Sequence, residues 1–301
     1  MKGTSVLEFR DRFPDEESCL RHVFRQRFGP EGRCPNCGVS GKIRRAPKTK
    51  KYNHLLCRTQ FSVLKDTIFY RSNLSLMAWF YCLLLFCNFS NGVRSSLVRK
   101  QLGLGVKSAH RLCNRIRLHL ACYARPEKLG GPGKKVYIDE THIKYLTSRR
   151  TDPRAHAWVM GIACDGKVLT GIVNDRKSST FRRAIDRFVE PDSIIVTDQY
   201  RSYAWLKRAG WQHIAVNHSR AFHDFYGTDN IEIETYWAVL KRALRSYRQT
   251  TPENLWLFIA EIECRYNHRH DERSFFDAMI ECFPALHPYY LEETKSRYVW
   301  A

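Results

Sequence analysis

Val136-Tyr-Ile-Asp139 and Ile194-Ile-Val-Thr-Asp198 are the two stretches that decide the predicted fold. Each is a run of apolar or β-branched residues that ends in an aspartate, a pattern typical of a buried strand with a carboxylate at its end. A third acid, Glu234, begins an amphipathic stretch that extends to Tyr247. We therefore predict a mixed α/β domain in which two strands and a helix bring Asp139, Asp198 and Glu234 together.

Three carboxylates in this order suit a site for divalent metal ions. A phosphodiester transition state gains charge on the attacking and the leaving oxygen, and two ions about 4 Å apart can neutralise both. Mg²⁺ prefers oxygen ligands and takes few carboxylates from the protein. We expect two ions, Mg²⁺ or Mn²⁺, at Asp139, Asp198 and Glu234. Either aspartate alone is equally well explained as a turn former. Glu232 is a rival for the third position, and its ordinary explanation is a first-turn glutamate favoured by the helix dipole.

The elements around these acids predict how the sheet is connected. Strands are expected at residues 135–138, 156–164, 168–174, 193–197 and 211–216, and helices at 179–189, 200–209 and from 234 onward. Asp165-Gly166 lies between two apolar runs and indicates a hairpin turn. Three antiparallel strands, followed by a helix and a strand parallel to the first, would set Asp139 beside Asp198.

Length and charge limit the class of protein. The 301 residues suggest about two domains, and the formal net charge of +20 indicates a polyanionic partner, either nucleic acid or an anionic membrane surface. Residues 1–18 lack the apolar core of a signal peptide. The most apolar stretch, residues 74–89, is shorter than the ~20 residues that span a membrane. We predict a buried helix there and no membrane partner.

The eleven cysteines fall into two groups. Without a secretory signal the thiols should be reduced, and most lie in apolar patterns that suit core packing. Cys34-Pro-Asn-Cys37 and His54-Leu-Leu-Cys57 differ, because paired ligands at this spacing are typical of a structural Zn²⁺ site. The alternatives are a redox motif for the CxxC pair and an ordinary buried or surface role for His54. The basic residues 42–51 between the pairs suit either a solvated loop or an arm that contacts phosphates.

A helical region follows, with helices predicted at residues 76–88, 93–102 and 106–122. The short turn Gly103-Leu-Gly105 between the last two resembles that of a helix-turn-helix. Helical periodicity places five polar residues on or near one side, where they could enter a major groove: Lys107, Arg111, Asn114, Arg115 and Arg117. The alternative is a small helical bundle with a solvated basic face.

The predicted domains are a zinc ribbon (1–73), this helical region (74–124), a Gly- and Pro-rich linker (125–134) and an α/β domain with C-terminal helices (135–301).

Motifs across residues 16–283 follow the pattern of one family. They are Cys34-Pro-x-Cys37, Cys57-Arg-Thr-Gln-Phe-Ser62, Thr67-Ile-Phe69, Gln101-Leu-Gly103, Asp139-Glu-Thr141, Thr197-Asp198, Val216-Asn-His-Ser219, Glu234-Thr-Tyr-Trp237, Leu240-Lys-Arg242 and Glu261-x-x-x-Arg265-Tyr-Asn-His-Arg269. In this order they resemble the DDE insertion-sequence transposases of the Merlin superfamily, which join a zinc ribbon to a ribonuclease-H-like domain. The resemblance implies that Asp139, Asp198 and Glu234 are the catalytic metal-binding acids and that Lys241 contacts DNA.

Helical spacing extends the predicted DNA-binding surface. Lys241 and Arg245 lie seven and eleven positions after Glu234, on the same face of its helix. We expect these residues, with Arg242 and Arg248, to hold the DNA backbone near the acids. His218 is a further candidate at the site, although a lone histidine at a strand end is more often structural.

The resemblance implies a DNA transposase that recognises the terminal inverted repeats of its element, cuts the backbone and joins the freed 3′ hydroxyl to target DNA. Its partners would be double-stranded DNA and further copies of the chain in a synaptic complex. Its location would follow the DNA, either the cytoplasm at the nucleoid of a bacterium or the nucleus of a eukaryote. The alternatives are a transposase-derived DNA-binding protein that no longer cuts, a ribonuclease-H-like or resolvase-like nuclease without strand transfer, and a zinc-ribbon transcription factor.

Overall fold

The protein is described by a computed structural model. It covers residues 3–89, 91–123, 125–144, 156–216, 231–247, 250–284 and 288–300. The chain divides into two compact units. The first unit contains Met1–Tyr123 and His270–Leu291, and the second contains Ala124–Arg269 and Glu292–Ala301.

Both units contain helices and strands. The α-helices are α1 (Val6–Arg12), α2 (Glu16–Phe28), α3 (Leu76–Asn88), α4 (Ser95–Leu102), α5 (Val106–Cys122), α6 (Ser178–Phe188), α7 (Ile231–Tyr247), α8 (Leu255–Asn267), α9 (Phe275–Glu281) and α10 (Pro288–Ser296). The strands are β1 (Ile43–Arg45), β2 (Lys51–His54), β3 (Gln60–Ser62), β4 (Leu129–Gly130), β5 (Lys135–Lys144), β6 (His156–Cys164), β7 (Lys167–Val173), β8 (Val189–Glu190), β9 (Ile194–Asp198) and β10 (Gln212–Val216). The predicted mixed α/β class is confirmed.

Helix α3 is the buried helix predicted within residues 74–89. Ser75 caps it, because its hydroxyl accepts a hydrogen bond from the backbone N–H of Ala78 at 3.1 Å. Side chains around most of its circumference, including Phe80 and Leu83, are buried in the first unit. None of the helices in the described ranges is long and apolar enough to cross a membrane.

Residues His270–Leu291 are part of the first unit, whereas the sequence pattern assigns them to the α/β domain. In α9 the ring of Phe276 packs edge-on against Phe9 with centroids 5.8 Å apart. Asp277 forms an ion pair with Arg12 at 2.5 Å. Both groups are partly exposed, so the apolar contact contributes more to the attachment of α9 than the ion pair does.

Acid should destabilise the first unit through a histidine in its core. His119 in α5 is buried, with its Nε2 2.8 Å from the carbonyl oxygen of Met279. Burial lowers the pKa of His119 to about 4. Because the unfolded state takes up the proton first, the free energy of unfolding should fall by up to about 3 kcal/mol as pH drops from 6.5 through 4. His119→Gln should lessen this loss, measured as the urea midpoint by circular dichroism at each pH.

His110, which is exposed on the same helix, provides the control for this prediction. His110→Gln should follow the wild type at every pH. If His119→Gln loses stability with acid as steeply as the wild type, another group in the chain controls the acid response.

The second unit is built on a five-stranded sheet with the order β10-β9-β5-β6-β7. Strands β5, β6 and β7 are antiparallel, while β9 is parallel to β5 and β10 is parallel to β9. The β6–β7 turn has positive φ at Asp165 (50°) and Gly166 (73°), as an Asp-Gly hairpin requires. The topology is the predicted one, and it fits a ribonuclease-H-like fold.

Helices cover both faces of this sheet. On one face α6 buries Phe181, Ile185 and Phe188, spaced as a helix needs for a single apolar stripe. On the other face α7 contacts β5 and β6, and α8 contacts β7. The packing of α7 against β5 and β6 determines the position of Glu234, which lies in the first turn of α7.

The helix predicted at residues 200–209 is wrong in type. Two short 3₁₀ helices, Arg201–Tyr203 and Lys207–Ala209, take its place. Tyr203 ends the first and Leu206 precedes the second, and both side chains are buried in the core of the second unit.

Residues 125–134, predicted to be a linker, are attached to the second unit. Arg125 forms a buried ion pair with Glu263 at 2.6 Å and donates to the carbonyl oxygen of Thr170 at 2.9 Å. Strand β4 pairs with β8 in a small parallel sheet. A Gly- and Pro-rich composition is typical of a linker, but buried Arg125 and the pairing of β4 with β8 attach this segment to the second unit.

Candidate functional site

The parallel pairing of β5 and β9 sets the two aspartates side by side. Lys135, Val136 and Tyr137 pair with Ile194, Ile195 and Val196, and the same register continued by two residues puts Asp139 opposite Asp198. Both side chains are half-buried. Asp198 ends β9 as predicted, whereas Asp139 lies in the middle of β5, because antiparallel pairing with β6 continues β5 to Lys144.

Glu234 and the two aspartates are close enough for their charges to interact. Burial raises the pKa of Asp139, and the negative charges of Asp198 and Glu234 raise it further. A hydrogen bond from Trp237 Nε1 to Asp139 Oδ2, 2.8 Å long, acts in the opposite direction. Trp237 is buried one helical turn after Glu234, so this face of α7 is directed at Asp139. The charge of a nearby cation would act in the opposite direction and lower the pKa of Asp139.

A glycine in β6 allows α7 to approach the sheet. Gly161 pairs with Asp139 across the sheet. A Cβ atom added at Gly161 would lie 2.7 Å from Ile233 Cδ1 and 2.7 Å from Trp237 Cη2. Sequence reasoning missed Gly161, and it named Trp237 only as part of a motif, without its contact with Asp139. A glycine inside an apolar strand is itself a signal of close backbone approach.

Glu232, the rival third acid, has a different neighbour. Its carboxylate accepts a hydrogen bond from the backbone N–H of Gly166, in the β6–β7 turn, at 3.4 Å. Glu234, two residues later, is exposed and interacts electrostatically with Asp139. The geometry therefore favours Glu234 over Glu232 as the companion of the two aspartates.

A second carboxylate network lies behind Asp139, and sequence reasoning missed it. The side chain of Glu140 is 1% exposed and accepts hydrogen bonds from both Nε and Nη2 of Arg176 and from the hydroxyl of Tyr203. Burial raises the pKa of Glu140, and the Arg176 and Tyr203 hydrogen bonds oppose that rise. The Arg176 guanidinium lies 4.0 Å from the ring centroid of Tyr200, whose backbone N–H donates to Asp198 Oδ1 at 3.0 Å. The network therefore connects buried Glu140 to the loop that holds Asp198.

The carboxyl half of α7 presents the predicted basic residues. Lys241, Arg242 and Arg245 are exposed, and none of them forms an ion pair with another described residue. Arg248 and His218 lie outside the described residues.

The four predicted zinc ligands come together in the first unit. Cys34, Cys37, His54 and Cys57 each offer one ligand atom, and these atoms all lie within 4.8 Å of one another. Cys34 Sγ is 3.7 Å from Cys57 Sγ, and His54 Nδ1 is 3.4 Å from Cys37 Sγ and 3.0 Å from Cys57 Sγ. Three sulfurs and one nitrogen form the donor set of a closed structural zinc site.

Local structure explains this convergence. Gly38 (φ 73°) closes the first turn, where its N–H donates to the carbonyl oxygen of Cys34 at 2.9 Å. His54 ends β2 of the small antiparallel sheet β1-β2-β3, and Cys57 lies in the turn before β3. Hydrogen bonds with Thr59 and His54 lower the pKa of Cys57 to about 5. Its thiolate is the form that binds a metal.

The predicted basic face of α5 is smaller than helical periodicity suggests. Helices α4 and α5 are joined by a short turn, with Gly103 in the left-handed conformation (φ 62°). Lys107 and Arg111 are exposed. Arg115 instead donates to the carbonyl oxygens of Ile68 and Tyr70.

Two further residues of that face also make internal contacts. Arg117 is buried, donates to the carbonyl oxygen of Val93 at 3.1 Å and lies over the ring of Phe86. Its Nη1 also donates to Asn114 Oδ1 at 3.1 Å. Arg117 is therefore buried and does not lie on the polar side, while Asn114 and Arg115 are half-buried. Long guanidinium groups reach backbone oxygens that a helical wheel does not include.

This mixed sheet, with acids on two adjacent strands and on a packed helix, fits a ribonuclease-H-like fold. The Cys₃His group earlier in the chain suggests a zinc ribbon. Residues 129–267 match the family described as the ISXO2-like transposase domain. A Haemophilus influenzae protein (strain ATCC 51907 / DSM 11121 / KW20 / Rd) described as an uncharacterized transposase-like protein is 34% identical over 102 residues. The matched region covers 34% of this chain and 82% of that relative. The chain belongs to the family of insertion-sequence transposases, as its motifs predict.

Proposed function

We propose that the chain is a DDE DNA transposase that cuts the backbone at the terminal inverted repeats of its element and joins the freed 3′ hydroxyl to target DNA. The observation that carries the proposal is the placement of Asp139 and Asp198 side by side on the neighbouring strands β5 and β9, with the Glu234 face of α7 packed over Asp139 through Trp237. Asp139 and Asp198 would hold one Mg²⁺ or Mn²⁺ ion together, and Glu234 would complete a second site. When bound, such ions stabilise the charge that develops on the attacking and leaving oxygens.

The chain's own residues would orient these acids and the DNA. Trp237 fixes the rotamer of Asp139, and the Tyr200 N–H holds one oxygen of Asp198. The exposed cations of α7, Lys241, Arg242 and Arg245, suit a DNA backbone that passes the acids. The excess positive charge of the chain supports the same partner.

Recognition of the DNA ends is proposed for the first unit. The zinc ribbon would be held by structural Zn²⁺ at Cys34, Cys37, His54 and Cys57. Lys107 and Arg111 at the start of α5 remain available for a major groove. Joining two ends implies more than one copy of the chain in the synaptic complex. The protein would be located where its DNA is, at the nucleoid in a bacterial host.

A cleavage and joining assay tests the proposal. The substrate is a labelled duplex with the terminal repeat of the element that encodes the chain, incubated with a target plasmid and Mg²⁺, Mn²⁺ or no metal. We expect a nick at the repeat and a joined product only with metal, and neither product on a scrambled duplex. Cleavage without joined product would identify a nuclease. Binding without cleavage would identify a DNA-binding protein that no longer cuts, and both outcomes overturn the proposal.

Removing the indole N–H from Asp139 should weaken metal binding. Trp237→Phe keeps the ring in its packed position but loses the hydrogen bond to Asp139 Oδ2. Hydrogen bonds to charged groups contribute about 1.5–3 kcal/mol, so the metal concentration for half-maximal cleavage should rise by roughly tenfold or more. A metal titration of the cleavage rate measures this.

Trp205→Phe is the matched control, because the buried Trp205 Nε1 has no hydrogen-bond partner among the described residues. Its metal titration should match that of the wild type. Equal shifts in the two variants would mean that loss of an indole disturbs the fold in general, and that Trp237 has no specific part in positioning Asp139.

A further inference from the structure

A pocket of about 280 Å³ lies in the second unit, beside the carboxyl half of α7. Its walls come from the end of β5, from α7 and from the start of α8. The lining residues are His142, Ile143, Lys144, Lys241, Leu244, Arg245, Thr250 and Leu255.

The pocket is cationic. Three of its lining residues carry a positive charge, Lys144, Lys241 and Arg245, and all three are exposed. The described lining contains no acid, and these cations form no ion pair with any described residue. An anionic group therefore complements this rim.

One wall of the same pocket is apolar. Ile143 and Leu255 are buried, and Leu244 is half-buried. A small inorganic anion would leave this wall without a partner. A nucleotide combines a phosphate with a flat base that packs on apolar side chains, so it complements both parts of the pocket.

The pocket lies further along α7 and β5 than Glu234 and Asp139. Trp237 of α7 contacts Asp139 of β5, and four residues further along each element Lys241 and Ile143 line the pocket. Four residues correspond to about 6 Å along a helix and about 13 Å along a strand. At 3.4 Å per nucleotide, this separation is roughly two to four nucleotides of one DNA strand.

We propose that this pocket receives one unstacked nucleotide of the DNA strand being cut, two to four positions from the scissile phosphate. Its base packs against Ile143, Leu244 and Leu255, and its phosphate lies between Lys241 and Arg245. The inference rests on the proposed function. It adds that the duplex is locally opened beside the cut, and the captured nucleotide then fixes the register of the strand over the acids.

Fluorescence of 2-aminopurine detects an unstacked base directly. The analogue replaces one base at a time over six positions on each side of the cut in the terminal-repeat duplex. The full-length chain is added with Ca²⁺ in place of Mg²⁺, to keep the DNA whole. We expect a fluorescence rise of about threefold or more at one position, within roughly four nucleotides of the cut.

Filling the pocket should remove the response. Leu244→Trp should abolish the fluorescence rise and slow cleavage by about tenfold, the contribution of one packed base. An abasic nucleotide at the responding position needs no pocket for a base, so it should restore cleavage by Leu244→Trp. The control Leu7→Trp makes the same change at a 72% exposed residue of α1 and should behave as the wild type.

The outcomes separate this inference from the proposed function. Metal-dependent cleavage with no responding 2-aminopurine position overturns the pocket and leaves the transposase proposal standing. A response that persists in Leu244→Trp also overturns the pocket. If Leu244→Trp stays slow on abasic DNA, its defect lies in folding or in the acids, and the assigned role of the pocket is wrong. If the wild type cuts no DNA with any metal, both proposals fail.

Discussion

Replacing Asp198 with asparagine should lower the rate of DNA cleavage at least about a thousandfold while leaving DNA binding intact. The amide oxygen can still accept the hydrogen bond from the Tyr200 N–H, so the loop keeps its conformation. The negative charge that balances a divalent ion is lost. Rates come from single-turnover cleavage of the terminal-repeat duplex, and binding comes from fluorescence anisotropy of the same duplex.

Two neighbouring glutamates on α7, Glu232 and Glu234, test which residue is the third acid. Glu234→Gln should be as inactive as Asp198→Asn, whereas Glu232→Gln should retain most of the activity, because Glu232 contacts the β6–β7 turn. Asp186→Asn, at an exposed ion pair with Arg182 on α6, should have no effect on cleavage. An inactive Glu232→Gln beside an active Glu234→Gln would assign the third acid to Glu232.

Loss of the metal from the Cys₃His group should unfold the zinc ribbon and abolish specific DNA binding. A structural zinc ion contributes about 10–16 kcal/mol of apparent binding free energy to small folds, far more than the short strands β1, β2 and β3 can replace. Cys57→Ser should therefore lose stoichiometric zinc, measured by elemental analysis, and should bind repeat and scrambled DNA equally. Cys282→Ser changes an exposed cysteine outside the group and serves as the control.

Substitutions at His54 test whether it is the fourth zinc ligand. His54→Cys should still bind one ion, since four thiolates also form a closed site, and its Co²⁺-substituted form should show an altered visible spectrum. His54→Ala should bind the ion more weakly. A His54→Ala chain with unchanged zinc content and an unchanged Co²⁺ spectrum would exclude His54 as a ligand.

Features that depend on local spacing could be predicted from the sequence. The Cys and His pairs are knuckles only a few residues long, so their spacing was enough to predict the group. The strand order was predictable because each strand is a separate apolar run and the Asp-Gly turn leaves one choice for β6 and β7. The motifs also identified the family, since they recur in a fixed order.

Features that depend on distant partners could not be predicted. β5 runs past Asp139 because β6 supplies hydrogen bonds there, and a polar sequence from Glu140 onward gave no sign of it. Arg115 and Arg117 have the helical positions of surface residues, and only the neighbouring carbonyl oxygens show otherwise. The same limit applies to Glu140, whose partners Arg176 and Tyr203 lie 36 and 63 positions away.

The placement of His270–Leu291 in the first unit has a consequence for the order in which the chain folds on the ribosome. The aromatic layer around Phe9, Phe13 and Phe80 is completed by Phe276, which is synthesised only after nearly all of the second unit. The second unit also awaits its last residues, since Trp300 packs over Gly171 and its N–H donates to Ile172. A chain interrupted before His270 would therefore complete neither unit, and the aromatic layer of the first unit would stay open where the ring of Phe276 belongs.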